Sequence, residues 1–278
     1  MGQVPTKNNA APKTYLLIGR GRLAQHLSHW FLSKQAVQKK EVQAKEVQSN
    51  EFNSFQLQRW DRSQDPQELK KLLQQDPSHT IVLLAISDDA LVSFYENNLK
   101  NYTGRVLHFS GVLDHAPLIC AHPLMSFSKD LYEVPFYESI PFALTGFEKL
   151  QEVFPFLKNE ALQIQASQKA LYHAMAVMSG NFMTLLLQKI FKVSEKELNL
   201  KPSFFAPFLQ KTLLNTLQNP EGSLTGPLIR GDFKTIEKHL TALEALESHS
   251  EVSLVAQELL KIYNSYMNIE LAKVRKSV

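Results

Sequence analysis

The chain has 278 residues, 44% of them hydrophobic, with 30 basic and 27 acidic side chains and a formal net charge of +3. So small a net charge gives no reason to expect nucleic acid as a partner. We expect no membrane span, because no apolar run approaches the roughly 18–20 residues that one requires. The single cysteine, Cys120, excludes an internal disulfide and fits a reducing compartment, so we expect a cytoplasmic protein. Residues 1–13 are polar, and we expect a disordered lead-in there.

A strand, a glycine turn and a helix open the predicted fold. Residues 15–18 (YLLI) predict a buried strand, and the amphipathic run 23–34 predicts a helix. The turn between them has small residues at Gly19, Gly21 and Ala24, as in the G-x-G-x-x-G/A dinucleotide fingerprint. Gly19 permits the sharp turn, Gly21 lets a pyrophosphate approach the backbone, and Ala24 lets the helix pack near the strand. We therefore expect five turn residues to bind a dinucleotide: Gly19, Arg20, Gly21, Arg22 and Leu23.

The end of the second strand carries the residues that choose between NAD and NADP. Residues 55–60 alternate apolar and polar side chains and predict this strand, after a polar segment, 35–50, that is either a helix extension or a solvated loop. An acidic residue such as Asp61 bonds the ribose 2′-hydroxyl of NAD, whereas an arginine such as Arg62 accommodates the 2′-phosphate of NADP. Arg62 and Ser63 together offer hydrogen bonds to a phosphate, so we expect NADP, with NAD less favoured.

The next segments predict a parallel, doubly wound α/β sheet. The nearly all-apolar run 80–86 is typical of a central strand, and its end, Ile86 and Ser87, is expected to face the cofactor. Further strands are predicted at 104–109, 118–121, 141–144 and 162–164, with helices at 66–75, after Ser87 and from Gly146. The alternation of strands and helices indicates a Rossmann sheet over residues 14–165.

No strand pattern follows Ser167. Apolar residues at helical spacing predict a long helix over about 170–192 and further helices at 208–217, from Asp232 and at 252–274. We therefore predict an all-helical domain over residues 166–278 for substrate binding and dimerisation.

Four polar side chains are candidates for chemistry. His173 lies on the first helix after the sheet, and a histidine can pass a proton near neutral pH. Asn181, two turns further on, could orient a substrate oxygen, while Ser110 and His122 follow strand ends. A core histidine bonded to a carbonyl is an equally good interpretation of His173. No histidine has the spacing of a metal motif, so we expect no metal.

Seven blocks together resemble one bacterial family, which joins an NADP-oxidoreductase-like Rossmann domain to a helical C-terminal domain of unknown function. The layout is more distantly similar to ketopantoate and pyrroline-5-carboxylate reductases and to 6-phosphogluconate and hydroxyisobutyrate dehydrogenases. The last two use a Ser-Gly turn, which Ser110 matches, and a Lys–Asn pair, which this chain lacks because His173 follows Lys169 at that spacing. The blocks are 19–24 (GRGRLA), 85–90 (AISDDA), 108–111 (HFSG), 121–124 (AHPL), 170–174 (ALYHA), 179–181 (SGN) and 224–232 (LTGPLIRGD).

The resemblance implies an NADP-dependent oxidoreductase that acts on a small polar substrate in the cleft between the two domains, with His173 as proton donor or acceptor. The missing Lys–Asn pair keeps an alternative open, a non-catalytic NADP-binding regulatory or scaffolding module. The long apolar helices and the distant relatives also lead us to expect a homodimer.

Overall fold

The computed structural model describes residues 14–44, 55–227, 229–246 and 253–276. The predicted lead-in, 1–13, lies outside these residues. The chain divides into two compact units, Met1–Val177 and Met178–Val278. The last sheet strand ends at Gln163 and helices follow, as the sequence predicts, but the first helix after the sheet packs with the first unit. The unit therefore ends later than the predicted domain boundary at 165.

The first unit is built on a seven-stranded sheet with the order β2-β1-β3-β4-β5-β6-β7. The predicted α/β class, a mostly parallel sheet followed by helices, is confirmed. All neighbours are parallel except β5 and β6, which run antiparallel. The strands are β1 (Thr14–Ile18), β2 (Gln56–Trp60), β3 (Thr80–Leu84), β4 (Arg105–His108), β5 (Ile119–Pro123), β6 (Phe142–Thr145) and β7 (Ala161–Gln163).

Both faces of the sheet are covered by helices. Alternate residues of β1 point to opposite faces, with Tyr15 and Leu17 in one buried cluster and Leu16 and Ile18 in another. The first cluster includes residues of the helix after β1, such as Trp30, and the second includes residues of the next two helices. The helices of this unit are α1 (Arg22–Ala44), α2 (Pro66–Gln75), α3 (Asp88–Asn98), α4 (Val134–Tyr137) and α5 (Lys169–Val177).

Strand β1 pairs with β2 on one side and with β3 on the other. The chain therefore adds β2 on one side of β1 and then adds β3 and β4 on its other side. This reversal of strand order makes the β1/β3 boundary the switch point of the sheet. Ligands of open α/β sheets bind at the carboxyl end of such a boundary. The glycine turn after β1 lies there.

Two expectations about local structure need correction or completion. The first helix continues through residues 35–44, so this polar stretch extends α1, whereas residues 45–50 lie outside the described residues. The helix predicted from Gly146 is wrong, because only a short 3₁₀ turn, Leu150–Glu152, forms there. Leu150, Val153 and Phe154 are all buried in this segment, a compact arrangement that helical periodicity does not anticipate.

The second unit is helical in its described residues. A π-helical turn, Met178–Phe182, leads into α6 (Met183–Leu198), α7 (Ala206–Gln218), α8 (Phe233–Leu246) and α9 (Ser253–Lys276). Asp232 accepts a hydrogen bond from the Thr235 amide at 3.1 Å, so it caps α8 as its sequence position predicts. Among the described residues of this unit, only three apolar side chains are buried: Ile236, Ala256 and Met267.

One helical run, Ala166–Leu198, is long and apolar enough to cross a membrane by length and composition. The run includes α5, in which Lys169 is buried and the Tyr172 hydroxyl lies 2.8 Å from His122 Nδ1 of β5.

Candidate functional site

The turn after β1 leaves room for a ligand at one glycine and none at the other. Gly19 has φ of +135°, and a Cβ on it would lie 2.2 Å from the Ala85 carbonyl oxygen at the end of β3. Only glycine allows this backbone conformation and approach. Gly21 is exposed, and a Cβ on it would meet no described atom within 4 Å. The turn thus packs tightly against the sheet and presents an open backbone surface at Gly21.

The N-terminus of α1 supplies hydrogen-bond donors beside this surface. The Gln25 amide donates to the Gly21 carbonyl at 3.0 Å, so the helical bonds begin there and the amides of the first turn point out of the helix end. No acidic residue lies in the first turn of α1, and Arg20 and Arg22 are exposed. Amide donors, the positive end of the helix dipole and two arginines together fit a dinucleotide diphosphate.

At the end of β2, one carboxylate lies among arginines. Asp61 accepts hydrogen bonds from the Ser63 hydroxyl at 2.6 Å and from the Ser63 amide at 2.9 Å. These bonds lower the pKa of Asp61, and the charges of Arg20 and Arg59 lower it further. The Ser63 hydroxyl already donates to Asp61, so it is free to donate to a phosphate only if that bond breaks. The predicted arginine, Arg62, is exposed.

The ends of β4 and β5 form a second cluster of polar groups. Ser110 follows β4, and its hydroxyl oxygen accepts from the Val112 and Leu113 amides at 3.3 and 3.0 Å. The Ser110 carbonyl accepts from the Lys169 ammonium at 3.3 Å and from the Cys120 thiol at 3.2 Å. The hydroxyl of Ser110 therefore holds the turn, while its carbonyl anchors the first helix after the sheet.

A buried lysine sets the electrostatics of this cluster. Lys169 is 3% exposed and makes no salt bridge within the described parts of the chain. Burial lowers the pKa of His108 to about 3, and the charge of Lys169 contributes to that lowering. Burial raises the pKa of the Cys120 thiol against the opposing effect of Lys169. His108 is thus a neutral core residue, and its Nδ1 accepts from the Ser110 amide at 3.2 Å.

The predicted residues His122 and His173 come together around Gly111. Their ring centroids lie 5.8 Å apart with the rings perpendicular. A Cβ on Gly111 would lie 2.4 Å from His173 Cδ2 and 3.0 Å from His122 Nε2. Glycine at this position therefore lets two imidazoles border the same point of the backbone.

His122 is also bonded to a tyrosine of α5. Its Nδ1 lies 2.8 Å from the Tyr172 hydroxyl. Burial lowers the pKa of His122 to about 4, with further lowering by His173 and Lys169. Burial likewise raises the pKa of Tyr172 to about 12. Both side chains are therefore neutral near pH 7.

The remaining predicted residues fall in different places. Ile86 is half-buried and lies 3.5 Å from the position of a Gly19 Cβ, whereas Ser87 is exposed as the N-cap of α3. Leu23 is half-buried against the core beside the turn. Asn181 is exposed on the π-helical turn of the second unit, so the 3.6-residue spacing that related it to His173 does not apply through that turn. The role of Asn181 stays a prediction.

Three residues of these sites were missed by sequence reasoning. Lys169 was noted only as a lysine without its asparagine, and Tyr172 only as part of the block 170–174, because their importance depends on which strand ends α5 approaches. Arg59 alternates outward on β2, so its exposure follows from the strand pattern, but its effect on Asp61 does not. Within the described residues, no group of three or more His, Cys, Asp or Glu side chains is placed to hold a metal ion.

Comparisons with known proteins support the fold. Residues 140–267 match a family model described as a domain of unknown function (DUF2520). No curated protein matches by sequence. Together with the structural likenesses below, the family match confirms the predicted resemblance: a Rossmann-like sheet followed by a helical part of unknown function.

Three solved structures resemble nearly the whole chain. A Bacteroides fragilis protein named as a candidate NADP oxidoreductase is 18% identical, with a TM-score of 0.62 over 91% of this chain and 98% of that chain. A Thermotoga maritima protein is 20% identical, with a TM-score of 0.57 over 92% and 99%. An imine reductase of Streptomyces aurantiacus is 10% identical, with a TM-score of 0.54 over 92% and 95%. At these identities the likeness establishes a shared fold.

Proposed function

We propose that the protein is an NADP-dependent oxidoreductase that acts on a small polar substrate. The observation that carries the proposal is the turn after β1, where Gly19 packs on the Ala85 carbonyl and Gly21 faces open space beside the first amides of α1. This arrangement fits a diphosphate at the switch point of the sheet. The name of the Bacteroides fragilis structure agrees with this reading.

Charge supports NADP rather than NAD. Three exposed arginines, Arg20, Arg59 and Arg62, lie on the turn after β1 and at the end of β2. Asp61, the carboxylate directly after β2, is engaged by Ser63 and carries a lowered pKa. The 2′-phosphate of NADP is an anion that can pair with these positively charged arginines, whereas the 2′-hydroxyl of NAD is uncharged.

The chemistry is assigned to the histidines at Gly111. NADPH, when bound, supplies a hydride to the substrate. We assign to His173 the transfer of a proton, since its half-buried imidazole borders Gly111 and His122. The assignments of Ser110, His122 and Asn181 to the same reaction stay proposals, as does the position of the substrate between the two domains.

The test is cofactor binding followed by turnover. We expect NADPH to quench protein fluorescence and to raise the melting temperature, with weaker effects from NADH. Oxidation of NADPH by a panel of ketones, aldehydes, keto acids and imines should then fall in His173→Ala without loss of NADPH binding. The matched control is His79→Ala, a partly exposed histidine near the start of β3, which should leave both unchanged. Absence of NADPH binding at millimolar concentration would refute the proposal.

A second candidate function is a nucleotide-binding module without catalysis. It is favoured by the lack of the Lys–Asn pair and by the buried position of Lys169, which bonds a backbone carbonyl. Tight NADPH binding with no turnover on the whole panel would support this function. Turnover that His173→Ala abolishes would eliminate it.

We also propose that the protein is a cytoplasmic homodimer in which a second copy covers the second unit. The described residues of that unit bury only three apolar side chains, and none of the three lies on α7. A helical domain needs an apolar core, and a second copy offers the same unpartnered faces in return. The exposed apolar residues of the unit include Phe182, Leu185, Phe204, Phe208, Leu213, Leu214 and Leu217.

A further inference from the structure

The Tyr172–His122 pair lies beside the proposed reaction site, and Tyr172 has no part in the function assigned so far. Tyr172 belongs to α5 and His122 to β5, so the bond between them joins a helix to the carboxyl end of a sheet strand. The hydroxyl lies 2.8 Å from Nδ1, and the two rings meet edge to face with centroids 5.6 Å apart. Among the described residues, His122 is the one hydrogen-bond partner recorded for this hydroxyl.

The direction of that bond follows from the chemistry of the two groups. A neutral imidazole has one N–H and one lone pair, and a phenol donates better than it accepts because its oxygen lone pair is delocalised into the ring. The better hydrogen bond therefore runs from the Tyr172 hydroxyl to a lone pair on His122 Nδ1. The proton of His122 is then on Nε2.

Nε2 is the nitrogen that faces Gly111. It lies 3.0 Å from the position of a Gly111 Cβ, and His173 Cδ2 lies 2.4 Å from the same position. Because Gly111 has no side chain, the Nε2–H of His122 and the ring of His173 both lie next to the position that a Gly111 Cβ would take. Cδ2 of an imidazole is bonded to Nε2, so a substrate atom that exchanges a proton with His173 Nε2 is close to a second N–H donor, on the neutral His122.

The charges around His122 favour a reacting atom that gains negative charge. Lys169 and His173 on α5 both lower the pKa of His122. His108 on β4 and Cys120 on β5 lie next to it, and His115 and Asp88 act on those two groups in turn. Lys169 is 3% exposed and pairs with no carboxylate in the described residues. The positive charge of Lys169 stabilises a carbonyl oxygen that becomes an alkoxide, whereas it repels a cationic iminium.

We propose that Tyr172 is a positioning residue that holds His122 as the Nε2–H tautomer, so that His122 donates a hydrogen bond to a substrate carbonyl oxygen next to His173. The proposal rests on the proposed oxidoreductase function. In the direction of reduction the carbonyl carbon gains a hydride and the oxygen gains a proton from His173, while His122 stabilises the developing charge and keeps its own proton. Tyr172 hydrogen-bonds His122 and remains protonated throughout.

The first measurement is independent of activity. Imidazole ¹⁵N spectra of histidine-labelled protein distinguish the two tautomers, and the His122 signal is identified by its loss in His122→Gln. We expect the Nε2–H form in the native protein. In Tyr172→Phe, which removes one oxygen atom, we expect a mixture of tautomers and a pKa of His122 closer to its ordinary value. An Nδ1–H form in the native protein, or spectra that Tyr172→Phe leaves unchanged, would overturn the proposal even if the enzyme is active.

The second measurement is kinetic. Tyr172→Phe should lower kcat for a carbonyl substrate by about 10- to 100-fold, as for other groups that orient a functional histidine, with NADPH affinity unchanged. His122→Gln, which retains an N–H donor, should keep more activity than His122→Ala. Imines should be poorer substrates than the matching carbonyl compounds. Equal kcat in Tyr172→Phe and native protein would overturn the proposal.

The chain contains a matched control pair. His239 Nδ1 lies 2.8 Å from the Tyr263 hydroxyl in the second unit, the same bond in a different place. Tyr263→Phe should alter the ¹⁵N signals of His239 and leave kcat unchanged. If no NADPH oxidation is found with any substrate, the tautomer result still stands or falls on its own, which separates this inference from the proposed function.

Discussion

Gly19 and Gly21 lie two residues apart in one turn, yet the fold requires glycine only at Gly19, whereas at Gly21 the requirement comes from the proposed ligand. At Gly19 the backbone has a positive φ and meets the Ala85 carbonyl, so the requirement belongs to the folded chain. At Gly21 no described atom is near, so the requirement belongs to the proposed ligand. Substitutions at the two positions should therefore affect different measurements.

We predict that Gly19→Ala destabilises the protein, by at least about 1–3 kcal/mol from backbone strain with the contact to Ala85 added. Gly21→Glu should leave the free energy of unfolding nearly unchanged but abolish NADPH binding, because its carboxylate occupies the phosphate position. Urea unfolding and fluorescence titration measure the two effects. Loss of stability in Gly21→Glu, or normal NADPH binding by it, would contradict the reading of the turn.

The buried histidines predict how stability depends on pH. Burial lowers the pKa of His122 to about 4 and that of His108 to about 3. The unfolded chain takes up these protons near the ordinary value of about 6.5, so it binds more protons than the folded chain between about pH 4 and 6.5. Stability should therefore be full above pH 6.5 and should fall as the pH drops toward 4, by about 2 kcal/mol for His122 at pH 5.

Urea unfolding at pH 7, 6 and 5 tests this dependence. His122→Gln lacks the titrating group, so its stability should fall less steeply over the same interval, whatever its stability at pH 7. His79→Gln is the control, since His79 is partly exposed beside Asp76 and belongs to neither buried site. Identical slopes for native protein and His122→Gln would contradict the assigned pKa of His122.

At this scale the sequence predicted positions better than contacts. His122 was expected just after a strand and lies within β5 near its end, while His173 was expected on the first helix after the sheet and lies on α5. The bond of His122 to Tyr172 was not predictable, because it depends on the rotation of α5 about its axis. The burial of Lys169 was missed for the same reason, since a lysine near a helix start is ordinarily solvated.

Helix α1 links the proposed cofactor site to the sheet. Its first turn has no acidic residue, although carboxylates there would stabilise the helix through the dipole. We infer that the N-terminus of α1 binds a negatively charged group of the ligand instead of an acidic side chain. A carboxylate placed there by substitution should then help the helix and oppose binding.

We predict that Arg22→Glu weakens NADPH binding about tenfold or more while the melting temperature stays the same or rises slightly, because an acidic residue at a helix start contributes about 0.3–1 kcal/mol. Isothermal titration and thermal unfolding give the two values. Lys70→Glu on α2 makes the same change of net charge on an exposed helix position and should leave binding unchanged. Equal losses in the two variants would indicate a general charge effect.

The helix after the sheet shows where periodicity stops being informative. Residues 170–192 predict one continuous helix, and the structure forms α5, a π-helical turn and α6. A π turn adds about one residue to a helical turn and so changes the face on which the following residues lie. The sequence therefore indicates a helix correctly but assigns Asn181 to a face that only a regular α-helix would give it.

For the whole molecule, the two units differ in how much core they contain. The first buries apolar residues on both faces of its sheet, whereas the second, in its described residues, buries three. The parallel sheet with helices on both faces was predictable, since buried strands alternate with amphipathic helices. The antiparallel β6 was not, because strand direction depends on how the chain returns from β5.

We predict a dimer in solution that Leu214→Glu with Leu217→Glu converts to a monomer, because both leucines are exposed on α7 and charges there oppose burial against a second copy. Light scattering after size-exclusion chromatography measures the mass. Lys211→Glu on the same helix, an exposed polar position, should remain dimeric. A monomeric native protein that floats with neutral lipid vesicles would instead assign the apolar faces, including the run Ala166–Leu198, to a bilayer.

The position of β1 between β2 and β3 also has a consequence for biosynthesis. Strand β1 precedes both strands that it pairs with, so its second hydrogen-bonding edge is not paired until Leu84 has been translated. Until Trp60 has been translated, the hydrophobic segment 15–18 has neither of these neighbours. Contacts between distant parts of a chain slow folding, and an unpaired strand is a site of aggregation. We therefore expect the nascent chain to be prone to aggregation through β1 until both neighbouring strands have been translated.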